Sequence, residues 1–214
     1  MAFDSYASLQ AEISDYLARS DLAAKIPTFI TLAEAKFNRT LFVRQMEQRA
    51  TALVLLDSDE PEYISLPLDF QSMRRVRLSS VNGKPRLDFR SGVQADEYRQ
   101  HNGDVAGQPK FFTVFGDEIE LIPTPDAAYT IEMIYRKVIP ALSDANPTNW
   151  LLALAPDAYL YGALLESAPY IKDDDRINVW GAGLSTVIDG LNSLGSTSTF
   201  NAGPLEMRTS GVTP

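Results

Sequence analysis

With one histidine and no cysteine in 214 residues, the chemistry open to this chain is narrow. His101 is the sole candidate for an imidazole base, and it sits in the polar stretch Arg99-Gln100-His101-Asn102-Gly103, which reads as a solvent-exposed loop. A two-histidine metal site, a Cys-ligated zinc and a thiolate nucleophile are all excluded by composition. A Ser-His-Asp triad would have to use that one histidine, and no Gly-x-Ser-x-Gly, P-loop or dinucleotide fingerprint occurs. Carboxylates are what remain. A pair for acid–base work could be drawn from Asp117, Glu118 and Glu120, but a strand whose charged residues face water explains them more simply. Asp173-Asp174-Asp175 suggests a cation site, yet consecutive helical residues point about 100° apart. The alternating acids and central glycine of an EF-hand are also missing, so the run reads as the start of a helix. Arg74, Arg75 and Arg77, with Val76 and Leu78, form a basic knot. It could touch a phosphate, pair with an acidic neighbouring subunit or be a solvated strand face, and the last two are the preferred readings. No catalytic, cofactor-binding or metal set emerges, and the expectation is a protein that is not an enzyme and carries no cofactor.

The elements that would position these groups follow from hydrophobic period. Tyr6, Leu9, Ile13, Tyr16 and Leu17 recur at helical steps behind Asp4 or Ser5 as cap. Pro27 suits a first helical position, and Phe29, Ile30, Ala33, Phe37 and Leu41 form the face of a second helix. After Leu41 the period shortens to two. Strands are expected over 49–55 and 63–66, then a hairpin about Asn82-Gly83 as a type I′ turn, a second about Gly116-Asp117, and a strand from Tyr129 to Tyr135 with an aromatic and apolar face. A short helix fits 92–100. Helix returns near Asn149, restarts at Pro156, runs to Ala168 and is stopped by Pro169; a last one begins near Asp173 and carries Ile177, Trp180, Leu184, Val187, Ile188, Leu191 and Leu194. The fold class expected is α+β: a helical bundle from both chain ends (1–42 and 143–194), an antiparallel β-rich insertion (43–142) and an extended C-terminal arm (195–214).

Charge and composition bound the partners. The net charge is −9, with seven acids against two bases in 143–194. A pI near 4.6 argues against tight binding of duplex DNA, which calls for a basic patch. Residues 1–8 lack a basic region followed by an apolar run, so secretion by a signal peptide is not expected, and no stretch is long and apolar enough to span a bilayer. The absence of cysteine fits assembly in a reducing compartment. Gly, Ser, Thr and Pro dominate 195–214, a tail too polar to offset its own ordering entropy. It is expected to dock on a partner through Phe200, Leu205 and Met207.

Several stretches are distinctive as a set. They are Ile26-Pro27-Thr28-Phe29-Ile30-Thr31-Leu32-Ala33-Glu34-Ala35 with Arg39 and Arg44-Gln45-Met46-Glu47, then Leu66-Pro67-Leu68-Asp69-Phe70. The most specific is the run from Ile139 through Asn146-Pro147-Thr148-Asn149-Trp150-Leu151-Leu152 to Asp157-Ala158-Tyr159-Leu160-Tyr161-Gly162-Ala163-Leu164-Leu165-Glu166. Together they resemble phage head-to-tail adaptor (connector) proteins, a likeness that spans most of 5–194 and extends to the adaptor and tail-tubular proteins of short-tailed phages. It implies helices from both chain ends packed together with a β-rich insertion, and about twelve copies in a ring below the portal. It also implies a portal partner on one side, tail or nozzle proteins on the other, and genomic DNA passing through without tight binding. The location implied is the virion neck, after assembly in the host cytoplasm. Other readings are a tail-tube or nozzle ring component, or a carboxylate-based glycan hydrolase.

Overall fold

The computed structural model describes residues 3–56, 60–103, 105–171 and 175–199. The chain divides into two compact units: Met1–Gln45 with Ile139–Pro214, and Met46–Val138.

The first unit is helical. Helix α1 (Tyr6–Leu17) starts at Ser5, whose hydroxyl accepts from the Ser8 backbone N–H while Ser8 Oγ accepts from the Ser5 N–H, a reciprocal capping box. It buries Tyr6, Leu9, Ile13 and Leu17. Helix α2 (Ile26–Thr40) takes Pro27 in its first turn and buries Phe29, Ile30, Ala33 and Phe37. Helix α4 (Trp150–Leu154) is capped by Asn149, whose Oδ1 accepts from the Leu152 N–H at 2.8 Å. Helix α5 (Pro156–Glu166) packs against α1, α2 and α6 (Arg176–Thr199), so it is apolar on more than one side. It ends two residues short of the expected Ala168 because the Ser167 hydroxyl donates to the Leu164 carbonyl at 2.6 Å and a 3₁₀ turn, Ala168–Tyr170, takes over.

The approach of α5 to α2 depends on Gly162. A Cβ built there would lie 2.7 Å from Phe37 Cζ and 3.1 Å from Ala33 Cβ, both in the core. Gly162→Ala gains about 1 kcal/mol of helix propensity but overpacks a closed contact, which costs about 1–3 kcal/mol. Net destabilisation is expected, with Gly162→Val worse than Gly162→Ala. A lowered urea midpoint for both variants, in that order, is the check; an unchanged midpoint for Gly162→Val would show that the Phe37 ring yields freely.

The second unit is built on a sheet of seven strands: β1 (Glu47–Leu53), β2 (Tyr63–Ser65), β3 (Phe70–Leu78), β4 (Arg86–Phe89), β5 (Phe111–Phe115), β6 (Glu118–Ile122) and β7 (Thr130–Lys137). Their order is β1-β7-β3-β4-β5-β6-β2, curled into a nearly closed, barrel-like form. Inward residues from every part of the sheet, among them Val54, Ile64, Val76, Leu87, Phe112, Ile119, Ile131 and Met133, meet in one cluster. Gly116, at φ +57° in the first central position of a two-residue loop, gives the β5–β6 hairpin the turn geometry that matches strand twist. The Asn82-Gly83 connection differs from expectation. Positive φ falls at Gly83 and Lys84, and β3 and β4 pair only at Val76–Leu87 and Arg77–Arg86, so the loop is longer than a two-residue type I′ turn.

The fold-class expectation is corrected. The molecule is mixed α/β with a seven-stranded barrel-like sheet and six α-helices among the described residues, not a helical bundle carrying a minor β insertion. Nor is the sheet purely antiparallel. Helix α3 (Gly92–Asn102) links β4 to β5 as a crossover, and those two strands run parallel, as a crossover permits and a tight hairpin does not. At the C-terminal end, α6 continues through Thr199, so 195–199 are helical where an extended arm was expected. The rest of that arm lies outside the described residues.

Candidate functional site

The charged face of the sheet unit is assembled by β7, which lies between β1 and β3. Directly opposed residues of antiparallel strands share a face. Glu132 opposes Thr51 and Arg77, and its neighbour on that face, Ile134, opposes Arg49 and Arg75. Three guanidiniums therefore converge on one carboxylate. Arg49 Nε donates to Glu132 Oε2 at 2.8 Å, Arg77 Nε pairs with Oε1 at 2.6 Å, and Arg75 Nη2 stands 3.9 Å from the same oxygen. The Glu132 side chain is only 2% exposed. Arg77, and then Arg49, hold its carboxyl down to about 2 against the opposing effect of burial. Arg74, displaced by an irregularity in the β3–β7 register, reaches Glu47 at 3.4 Å. Arg136 is buried further along β7, and that burial, with Arg74 nearby, lowers its pKa.

This corrects the reading of the basic knot. Arg75 and Arg77 are paired within their own chain, with Glu132 of the neighbouring strand β7, and not with an acidic neighbouring subunit. A carboxylate held ionised by three cations is neither a base nor a nucleophile; it organises an arginine face whose outer members, Arg49, Arg74 and Arg75, keep 65%, 60% and 43% of their side chains exposed.

In the helical unit a second polar group is sealed from solvent. Glu34 Oε1 accepts from the Leu142 N–H at 2.8 Å and from the Tyr159 hydroxyl at 3.1 Å. Asn149 Nδ2 donates to Tyr159 Oη at 2.6 Å and to the Pro140 carbonyl at 2.7 Å. The network ties α2, the 139–149 loop and α5 together. Burial raises the Glu34 carboxyl and the Tyr159 hydroxyl above their ordinary pKa values. A raised carboxyl favours folding most when protonated, so this contribution is full at low pH and is lost as pH rises through the folded pKa. Glu34→Gln keeps the acceptor and removes the buried charge; it is expected to melt at or above the wild type at pH 8. Glu34→Ala leaves two buried donors unpaired and is expected to lose about 1–3 kcal/mol. Melting curves of both at pH 8 decide it: equal losses would contradict the role of the acceptor.

The other nominated residues do not converge. Asp117 and Glu118 are exposed, whereas Glu120 is buried against Arg99 of α3, contrary to the reading that all three face water. His101 is exposed as expected but lies on the last turn of α3, not in a loop, because the left-handed Gly103 cap carries the helix through Asn102. Asp175 is exposed ahead of α6, while Asp173 and Asp174 lie outside the described residues. So do Phe200, Leu205 and Met207, the expected partner-binding residues. Among the described residues no group of three His, Asp or Glu side chains could hold a metal ion, and no helix is long and apolar enough to cross a membrane.

The family model described as SU10 adaptor protein matches residues 4–208. The chain belongs to the SU10 adaptor protein family. No curated protein matches it. The family is one of structural phage proteins, and an adaptor acts by associating with other head and tail components of the phage. For an SU10 adaptor the surfaces that could meet such components matter most. Its match takes in both units, including the Glu34–Tyr159–Asn149 network and the arginine face.

Proposed function

We propose that this SU10-family adaptor forms a ring of about twelve copies in the virion neck, below the portal, linking capsid to tail and letting the genome pass. The family match over 4–208 carries this reading. The kinship would be with the adaptor and tail-tubular proteins of short-tailed phages; the portal would take one edge of the ring and tail or nozzle proteins the other. A ring of this kind is made from heterologous contacts that close by rotation.

Electron microscopy of the purified protein mixed with its cognate portal tests the reading. A closed ring seated on the portal is the expected image. Protein that ignores the portal but adds to an already formed adaptor ring would instead identify a tube component. The genome is expected to slide past without sticking, since a chain with net charge −9 repels phosphate at long range. Filter retention of duplex DNA by the assembled ring at about 0.15 M salt should be no greater than background; strong, salt-sensitive retention would contradict a non-adhesive bore.

A further inference from the structure

A groove of about 370 Å³ opens on the surface of the sheet unit where β4 leaves β3. After only two residue pairs β4 turns to run beside β5, and among the described residues no strand pairs with residues 70–75 of β3 on that side. Phe70, Met73, Phe112 and Val114 line the floor. Phe89, 61% exposed, stands at the mouth with its ring 5.7 Å from that of Phe112. Arg74, Arg75 and Arg86 edge it; each has a carboxylate of its own chain within 4 Å, Glu47, Glu132 and Asp88 in turn, and Arg86 keeps 69% of its side chain in solvent. An acidic chain thus holds an apolar slot rimmed by three guanidiniums.

We propose that this groove receives a second copy of the chain, through the stretch that follows β1. There Leu53, Leu55 and Leu56 are 57%, 62% and 44% exposed, and Glu60 and Glu62 come after them with no base between Leu53 and Tyr63. Leucines match the floor and carboxylates match the rim. The two surfaces are different parts of one unit, so each copy gives its leucines to one neighbour and its groove to the other. That is the head-to-tail contact a ring requires. The inference rests on the ring proposed above and names its interface.

Because the chain has no cysteine, introduced thiols report the contact directly. Full-length Leu55→Cys and Phe89→Cys proteins, mixed at high concentration and oxidised, are expected to form a mixed disulfide dimer. Each alone should give no more than the background of Leu55→Cys mixed with Val93→Cys, an exposed position on α3. The double variant should give a ladder. Arg74→Glu with Arg86→Glu, introduced into the Phe89→Cys protein, should cut the mixed yield at least tenfold with the melting temperature retained. Glu60→Arg with Glu62→Arg in the Leu55→Cys partner should restore it. A mixed yield at background, or a loss that the reversed charges do not restore, overturns the groove assignment. Closed rings imaged without the 55–89 link overturn the groove alone; a 55–89 link without any ring in the images keeps the groove and overturns the ring.

Discussion

Trp180→Ala is expected to lower the stability of the helical unit by about 3–5 kcal/mol, the usual loss when a buried Trp is truncated. Trp180 is 4% exposed on the face of α6 that also buries Leu184 and Leu191. That face packs on α5, and the Arg176 guanidinium lies over the indole at 5.3 Å. Truncation removes the largest side chain of the stripe and leaves a cavity that α5, hemmed in by α1 and α2, cannot collapse into. Against a total stability of about 5–15 kcal/mol, the melting temperature should fall on the order of 10 °C. Trp180→Phe should lose less, because a ring remains to fill the site. A Trp180→Ala protein that melts with the wild type would mean that α6 does not use this face against α5.

Glu132→Gln should change how the sheet unit responds to acid. The folded carboxyl titrates at about 2, below its ordinary 4.5. A depressed carboxylate contributes stability that is present above the unfolded value and lost as pH falls through the folded one. The wild type should therefore lose stability between about pH 4.5 and pH 2, and the glutamine variant, which has nothing to protonate there, should not show that component. At neutral pH the variant should be the less stable of the two, since Arg49, Arg75 and Arg77 would face each other across a neutral amide. Urea midpoints measured from pH 7 to pH 2 should converge at the acid end. Curves that stay parallel would show that Glu132 is not the counter-charge of this face.

The elements were legible because their signals are local. Ser5, Pro27, Asn149 and Pro156 sit at helix starts where capping and proline geometry place them, and Gly116 sits where a two-residue hairpin needs it. The arrangement of those elements was not legible. Nothing in the run Thr130 to Lys137 announces that this last strand inserts between the first and the third, yet that order is what buries Glu132 beneath arginines 55 and more positions away in the chain. The parallel β4–β5 pair has the same cause: a polar helix between two short strands was foreseen, its use as a crossover was not. Glu34 lies in the stretch Ile26 to Ala35, where its neighbours Leu32, Ala33 and Ala35 are apolar. An acid on the apolar side of a helix, one residue after the fully buried Ala33, was a usable sign of a buried polar network.

The helical unit takes its residues from both ends of the chain, with the sheet unit between them, and this sets an order of events during synthesis. Residues 46–138 can find all their strand partners before the ribosome reaches α4. Helices α1 and α2 cannot; the faces that carry Leu9, Ile13, Phe29 and Phe37 have no α5 to close on until more than a hundred further residues have been made. At about 5–20 residues per second that is a delay of roughly six to thirty seconds, during which these helices expose their apolar faces and become the natural clients of a nascent-chain chaperone.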